Sequence, residues 1–194
     1  MTDKIYVIGH KSPDTDSVTS AITYANLKNA LGMKEAVPAA AGDINAETKF
    51  LLDHFKVPYP EKLTDATDKK VILVDHNEMA QAVDNLNMEN IVEIVDHHKI
   101  GGLATGKPIF FLNEPVGATG GIIANLYEMN NVPISKEMAG LMMSAILSDT
   151  VLFKSPTCTP RDKTAVEKLA KIAGVDPMSF GMELLKAKSD VSSK

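Results

Sequence analysis

Hydrophobic and polar positions alternate in blocks along the chain, and the blocks predict its elements. Ile5-Tyr6-Val7-Ile8 is a short apolar run rich in β-branched side chains and closed by Gly9, which predicts a buried strand over 4–9. Val18, Ala21, Ile22 and Ala25 then recur at i, i+3, i+4 and i+7, predicting a helix over 16–31 with Gly32 as its stop. Residues 36–41 read as a short, alanine-weakened strand and 45–55 as a helix. Val57-Pro58-Tyr59-Pro60 breaks that helix, and a polar loop follows to residue 70. Val71-Ile72-Leu73-Val74-Asp75 predicts a second buried strand, followed by a short helix to about residue 86. Ile91-Val92-Glu93-Ile94-Val95-Asp96 predicts a third. Pro108 opens a further strand over 108–112 and marks it as an edge. Helices are expected over 117–129, with Gly120-Gly121 permitting close packing on the sheet, from a Ser135 cap into Ser148-Asp149-Thr150, and over 160–173 and 177–188. Strands alternating with helices predict an α/β fold, a doubly wound, largely parallel sheet with helices on both faces.

Composition narrows the class. The chain has 194 residues, enough for one well-packed domain, and its 44% hydrophobic and 23% charged residues are those of an average soluble protein. A net charge of −5 argues against nucleic-acid binding through a broad basic surface. Cys158 is the only cysteine, so no internal disulfide can form and a reducing compartment fits. No apolar run is long enough to span a bilayer, and Met1-Thr2-Asp3-Lys4 leads into a strand rather than a signal peptide. A cytoplasmic protein without nucleic-acid or membrane partners is expected.

The candidate chemistry lies where apolar runs end. His10, Asp14 and Asp16 fall within seven residues after the first strand, and Asp75-His76 and Asp96-His97-His98 close two others. Asp149 ends a helix, where the macrodipole disfavours a carboxylate unless a cation lies beside it. Taken singly, Asp14 and Asp16 read as N-caps and Asp75 and Asp96 as turn residues. His54 and His76 read as structural or as side chains that support the ligands from behind, Cys158 as a packed small side chain, and Met138, Met142 and Met143 as core. Jointly the ionisable groups at strand ends make a different pattern. Ligands bind outside the carboxyl ends of parallel strands, and carboxylates converging there repel one another without cations. Carboxylate with imidazole suits Mn, Co, Fe or Zn better than Mg alone. The number of ligands points to two ions sharing a bridging carboxylate, about 3.5–4 Å apart, an arrangement suited to attack of water at phosphorus.

Asp96-His97-His98 is the signature of the DHH phosphoesterases. With Gly9-His10-Lys11-Ser12-Pro13-Asp14-Thr15-Asp16-Ser17, Val74-Asp75-His76-Asn77-Glu78 and the segment from Leu147 to Thr157, the chain closely resembles the manganese-dependent family II inorganic pyrophosphatases over essentially its whole length. The resemblance implies that His10 and Asp14 hold one metal, that Asp75 bridges to a second, and that Asp16, His97 and Asp149 complete the second site. It implies that His98 is catalytic, facing substrate, and that Asp96 orients an imidazole. The cofactors implied are two Mn²⁺ or Co²⁺ per chain, with additional Mg²⁺ or Mn²⁺ arriving with pyrophosphate. Hydrolysis to two phosphates would proceed through a metal-activated hydroxide. Ser12, where Asn is frequent, falls at a non-ligand position.

Family members carry a C-terminal domain whose Lys and Arg side chains, including a Ser-Arg-Lys-Lys type motif, grip pyrophosphate. No such motif occurs here, and Arg161 is the only arginine. The expectation is a DHH catalytic core over 1–188, the start of a linker over 189–194, and impaired hydrolysis by this core alone. The family also implies a homodimer, which would cover the apolar Ile109-Phe110-Phe111-Leu112 edge. Two other readings stand beside this one: another DHH phosphoesterase, acting on polyphosphate, oligonucleotides or nucleotide bisphosphates, and a non-catalytic metal-binding dimerisation module.

Overall fold

The computed structural model describes residues 3–190. Six strands form one parallel sheet in the order β3-β2-β1-β4-β5-β6. They are β1 (Ile5–Ile8), β2 (Ala36–Ala40), β3 (Glu61–Lys62), β4 (Lys70–Val74), β5 (Ile91–Asp96) and β6 (Phe110–Asn113). The helices are α1 (Thr15–Ala30), α2 (Ala46–Phe55), α3 (Thr119–Met129), α4 (Lys136–Asp149), α5 (Pro160–Ala173) and α6 (Pro177–Ser189). This 3-2-1-4-5-6 order reverses direction between β1 and β4, the switch point at which doubly wound sheets leave a crevice. Residues 191–194, most of the expected linker, lie outside the described residues.

The two faces of the sheet are covered differently. Ile5, Val7, Ile72, Val74 and Val95 share a core with side chains from all six α-helices. Tyr6, Ile8, Leu73, Ile91 and Ile94 on the other face are covered by Leu63, Ala66, Ala82, Val83 and Leu86. The expected helix up to residue 86 is not formed there. A single 3₁₀ turn at Met79–Gln81 gives way to extended chain, and a second turn spans Met88–Asn90. Backbone bonds draw that segment out sideways: Lys11 N–H donates to Gln81 O and Ala66 N–H to Asp84 O. The expected loop to residue 70 contains the two-residue β3, paired with Ala39 and Ala40. At the opposite edge, β6 leaves Phe110 and Phe111 exposed.

Two glycines permit close approaches. A Cβ on Gly9 would lie 1.7 Å from Ser17 Oγ, so only glycine lets α1 start directly above β1. A Cβ on Gly120 would meet Ala145 Cβ at 2.9 Å, so this glycine packs α3 against α4 rather than on the sheet as expected. After α4, Val151, Leu152 and Phe153 all adopt left-handed φ, 48°, 53° and 69°. L-residues in that region cost roughly 1–2 kcal/mol each, most for a β-branched side chain. The reversal stops α4 at Asp149 and returns the chain through Leu152 N–H to Leu147 O and Ser155 N–H to Thr150 O.

Candidate metal centre

The crevice beside the switch point is built from four segments. β1 leads into His10, and Asp14 caps α1 by accepting from Ser17 N–H at 2.8 Å. The N-cap role is therefore real, and the other oxygen of Asp14 still lies 3.5 Å from His10 Nε2. β4 delivers Asp75, β5 delivers His97 and His98, and α4 ends at Asp149. Three groups result, with ligand atoms in each within 4.8 Å of one another: His10, Asp14 and Asp75; Asp16, Asp75, His97 and Asp149; and Asp75, His97 and His98. Asp75 is common to all three. Its Oδ2 is 3.4 Å from His10 Nε2, and its Oδ1 is 3.2 Å from His97 Nε2. All seven residues expected at the site converge here, with His98 at the rim, its Nδ1 3.7 Å from Asp75.

The similar strand ends Asp75-His76 and Asp96-His97 do different work. Asp75 stands in left-handed backbone, φ 63°, which turns its carboxylate into the crevice. Asp96 is the last residue of its strand and turns away from it. Its Oδ1 accepts from His98 Nδ1 at 2.7 Å and from the His97 and His98 N–H groups, and its Oδ2 accepts from Asn77 Nδ2 at 2.6 Å. His76 is buried, donating from Nδ1 to Val74 O at 2.8 Å, while burial lowers its pKa. His54 packs among Phe50, Phe55 and Phe180, away from the crevice.

Three imidazoles are oriented alike. His10 Nδ1 donates to Lys11 O, His97 Nδ1 to Val116 O, each at 2.8 Å, and His98 Nδ1 to Asp96. Each Nε2 is thereby left free, the outer-layer arrangement that fixes tautomer and ring in metal sites. His97 Nε2 is buried with carboxylate oxygens of Asp75, Asp149 and Asp16 at 3.2, 3.5 and 3.6 Å, yet it has no hydrogen-bond partner. Asp75 Oδ2 is equally buried and unpartnered. An imidazole nitrogen directed between three carboxylates, and at none of them, is the donor set of a cation, and a divalent metal fits it.

Charge in the crevice is frustrated without such a cation. Burial, reinforced by the charges of Asp16 and Asp75, pushes Asp149 up to about 11, and burial with the charge of Asp75 pushes Asp16 up to about 8. Burial acts to lower His10 and His97, but the carboxylates beside them win and raise the two to about 11 and about 9. Asp75 is held far below the usual carboxylate range, because His10 and His97 outweigh its burial. His98 is raised by its bond to Asp96, against its partial burial.

Sequence reasoning missed the residues that brace this set. Thr119 and Gly120 N–H donate to Asp16 at 2.9 and 3.0 Å, so the N-terminus of α3 is capped by a carboxylate 103 residues away. The signal was Ala118, which stands at that helix start and offers no side-chain cap. Asp162 accepts Gly117 N–H on both oxygens, at 3.1 and 3.0 Å, steadying the turn that presents Val116 O to His97. Buried Asn77 ties Asp96 to the Lys99 carbonyl and the Gly101 N–H.

Comparison with known proteins agrees with this architecture. The chain is 74% identical, over all its 194 residues, to the manganese-dependent inorganic pyrophosphatase of Methanothrix thermoacetophila, and spans 62% of that relative's length. A Methanococcus jannaschii crystal structure assigned to the family II inorganic pyrophosphatases superposes with a TM-score of 0.90 at 46% identity, covering 97% of this chain and 63% of that one. An exopolyphosphatase-related protein from Bacteroides fragilis shares the fold at a TM-score of 0.68 and 16% identity, over 97% of this chain and 56% of its own. The N-terminal domain of the DHH family matches residues 4–146, and the chain belongs to that family.

Proposed function

We propose that this chain carries the metal centre of a manganese-dependent pyrophosphatase, with His10, Asp14 and Asp75 at one seat and Asp16, Asp75, His97 and Asp149 at the other. The observation that carries the reading is the buried, unpartnered His97 Nε2 among three carboxylates, one of them shared with the His10 group. The 74% identity to a manganese-dependent pyrophosphatase supports the metal and the substrate. Divalent ions at these seats would supply Lewis-acid polarisation of phosphoryl oxygens and would lower the pKa of the attacking water. The protein's part is to hold the seats rigid and to place a proton. Asp96 fixes the Nδ1–H of the half-exposed His98 ring and leaves its Nε2 available to substrate. Raised by Asp96, that imidazolium donates its Nε2 proton to the departing phosphate as the P–O–P bond breaks.

Two basic side chains are already committed to carboxylates. Arg161 is paired with Glu114 at 2.6 Å and Lys11 with Asp84 at 3.1 Å. Turnover by the 194-residue chain is accordingly expected to be weak beside that of the longer Methanothrix relative. The test is phosphate release from pyrophosphate by the Mn²⁺-loaded chain, with short oligonucleotides and polyphosphate as competitors. Release that falls by roughly 100-fold in His98→Ala supports the reading, in the range usual for losing a general acid. Preference for oligonucleotide or polyphosphate would replace it with another DHH phosphoesterase activity. Two bound ions without any turnover would reduce the chain to a metal-binding module.

The same reading includes pairing of two copies along β6, whose exposed Phe110 and Phe111 make an unprotected edge. Sedimentation at micromolar concentration should give a dimer, and a monomer there would remove this part. No helix among the described residues is long and apolar enough to cross a membrane.

A further inference from the structure

Glu47 has no place in the chemistry above, yet it is among the most buried charged residues, 1% exposed. It sits in the first turn of α2, where a glutamate would ordinarily face solvent, and Asn45 already caps that helix through Thr48 N–H. Its side chain turns inward instead. Oε1 accepts from Thr15 Oγ at 2.5 Å and from Ser148 Oγ at 2.6 Å, while Oε2 is buried without a partner. Thr15 lies between Asp14 and Asp16, and Ser148 immediately precedes Asp149. One carboxylate oxygen thus joins the start of α1 to the end of α4, the two backbone ends that carry Asp16 and Asp149.

Fold stability alone gives no reason for this arrangement. A buried carboxylate with only hydroxyl partners and one orphan oxygen is costly, and apolar replacements of buried charges are often neutral or stabilising. The joined ends do have a reason to be held. Asp16 and Asp149 have ligand atoms within 4.8 Å of each other and repel when both are ionised. We propose that Glu47 is a positioning residue, clamping Thr15 and Ser148 so that Asp16 and Asp149 face the same ion. The inference rests on the metal reading of the site and concerns one of its two seats.

Binding measured without turnover tests it: equilibrium dialysis of Mn²⁺ against the folded chain, with the EPR spectrum of the bound ions as a second readout. Glu47→Ala should weaken one ion by about 10–100-fold and leave the other within about threefold, the size usual for losing an outer-layer partner. Glu47→Gln keeps an acceptor for both hydroxyls and should stay within about threefold of wild type for both ions. If Glu47→Ala does not fold, Ser148→Ala removes one arm of the clamp and should weaken the same ion by about tenfold. Wild-type affinity in Glu47→Ala, or in Ser148→Ala, overturns the proposal. So does a Glu47→Gln protein as weak as Glu47→Ala, which would make the charge and not the clamp decisive. A wild-type chain that binds no Mn²⁺ would remove the metal reading itself and this inference with it, an outcome distinct from wild-type binding left unchanged by the variants.

Discussion

Replacing Asp75 with asparagine is expected to empty both metal seats at once and to cut pyrophosphate turnover by roughly 1,000-fold or more, since the ions supply the nucleophile and most of the charge stabilisation. The reason lies in how its two oxygens divide. Oδ2 faces His10 Nε2 at 3.4 Å, while Oδ1 faces His97 Nε2 and accepts from Thr119 Oγ at 3.2 Å. An asparagine of the same shape loses the charge and presents an NH₂ donor toward one seat. Asp149→Asn is the contrast: it belongs to one group alone, so one ion should leave and the other stay. The ratio of bound Mn²⁺ to folded protein reads both variants directly. The fold should survive the Asp75 change, because removing this charge relieves the repulsion on Asp16 and Asp149. An Asp75→Asn protein that still binds one ion with unchanged affinity would show that the carboxylate is not shared.

The parts of this centre that sequence could reveal are those written in consecutive residues. The run from Ile5 to Ser17 encodes strand, turn and helix locally, and Asp14 serves as both cap and crevice carboxylate without conflict because its two oxygens point different ways. The order of apolar runs likewise gave the sheet and its parallel sense. What failed was governed by distant partners. Met79, Ala82, Val83 and Leu86 are spaced as on an amphipathic helix, yet they cover the sheet from a single 3₁₀ turn and the extended segment after it, pinned by backbone bonds between Lys11 and Gln81 and between Ala66 and Asp84. The likeness of Asp75 and Asp96 could not by itself separate their roles, which the family resemblance assigned differently, because backbone sign, φ 63° at Asp75, decides which carboxylate enters the crevice. Glu47 and Asp162 gave no signal, since each reads as an ordinary first-turn acid of a helix; Glu47 is pulled inward by hydroxyls of other elements, and Asp162, which also closes the capping box with Thr159, by the Gly117 N–H. β3 was invisible for a simpler reason, being two exposed polar residues long.

The metal-free chain should lose stability as pH rises from 6.5 to 8.5. His97 and His10 have ordinary values of 6.5 and are raised to about 9 and about 11, so the stability they contribute is full below 6.5 and drains away as pH climbs through those values. Asp16, raised from 3.8 to about 8 chiefly by burial, and Asp149, raised to about 11 by the same cause, hold protons that the unfolded chain has already released. The folded state therefore binds more protons than the unfolded one across the window, and each step upward in pH favours unfolding. His98 adds to the trend. Asp75 and Asp96 are lowered, so their contribution is present above about pH 4 and is constant here. His76, kept neutral by burial, gains stability for the fold as pH rises toward 6.5, and its contribution is constant above that. A fall in Tm on the order of 5–10 °C between pH 6.5 and 8.5 is the expected size for a domain this long. Mn²⁺ should act in the opposite sense, because its ligands bind deprotonated: the rise in Tm on adding it should be larger at pH 8.5, with about two to four protons released per chain near pH 7. Calorimetric titration in buffers of different ionisation enthalpy counts those protons. A metal-free Tm that stays level or climbs between pH 6.5 and 8.5, or ion binding that releases no protons, would mean that the buried carboxylates are not crowded as this geometry places them.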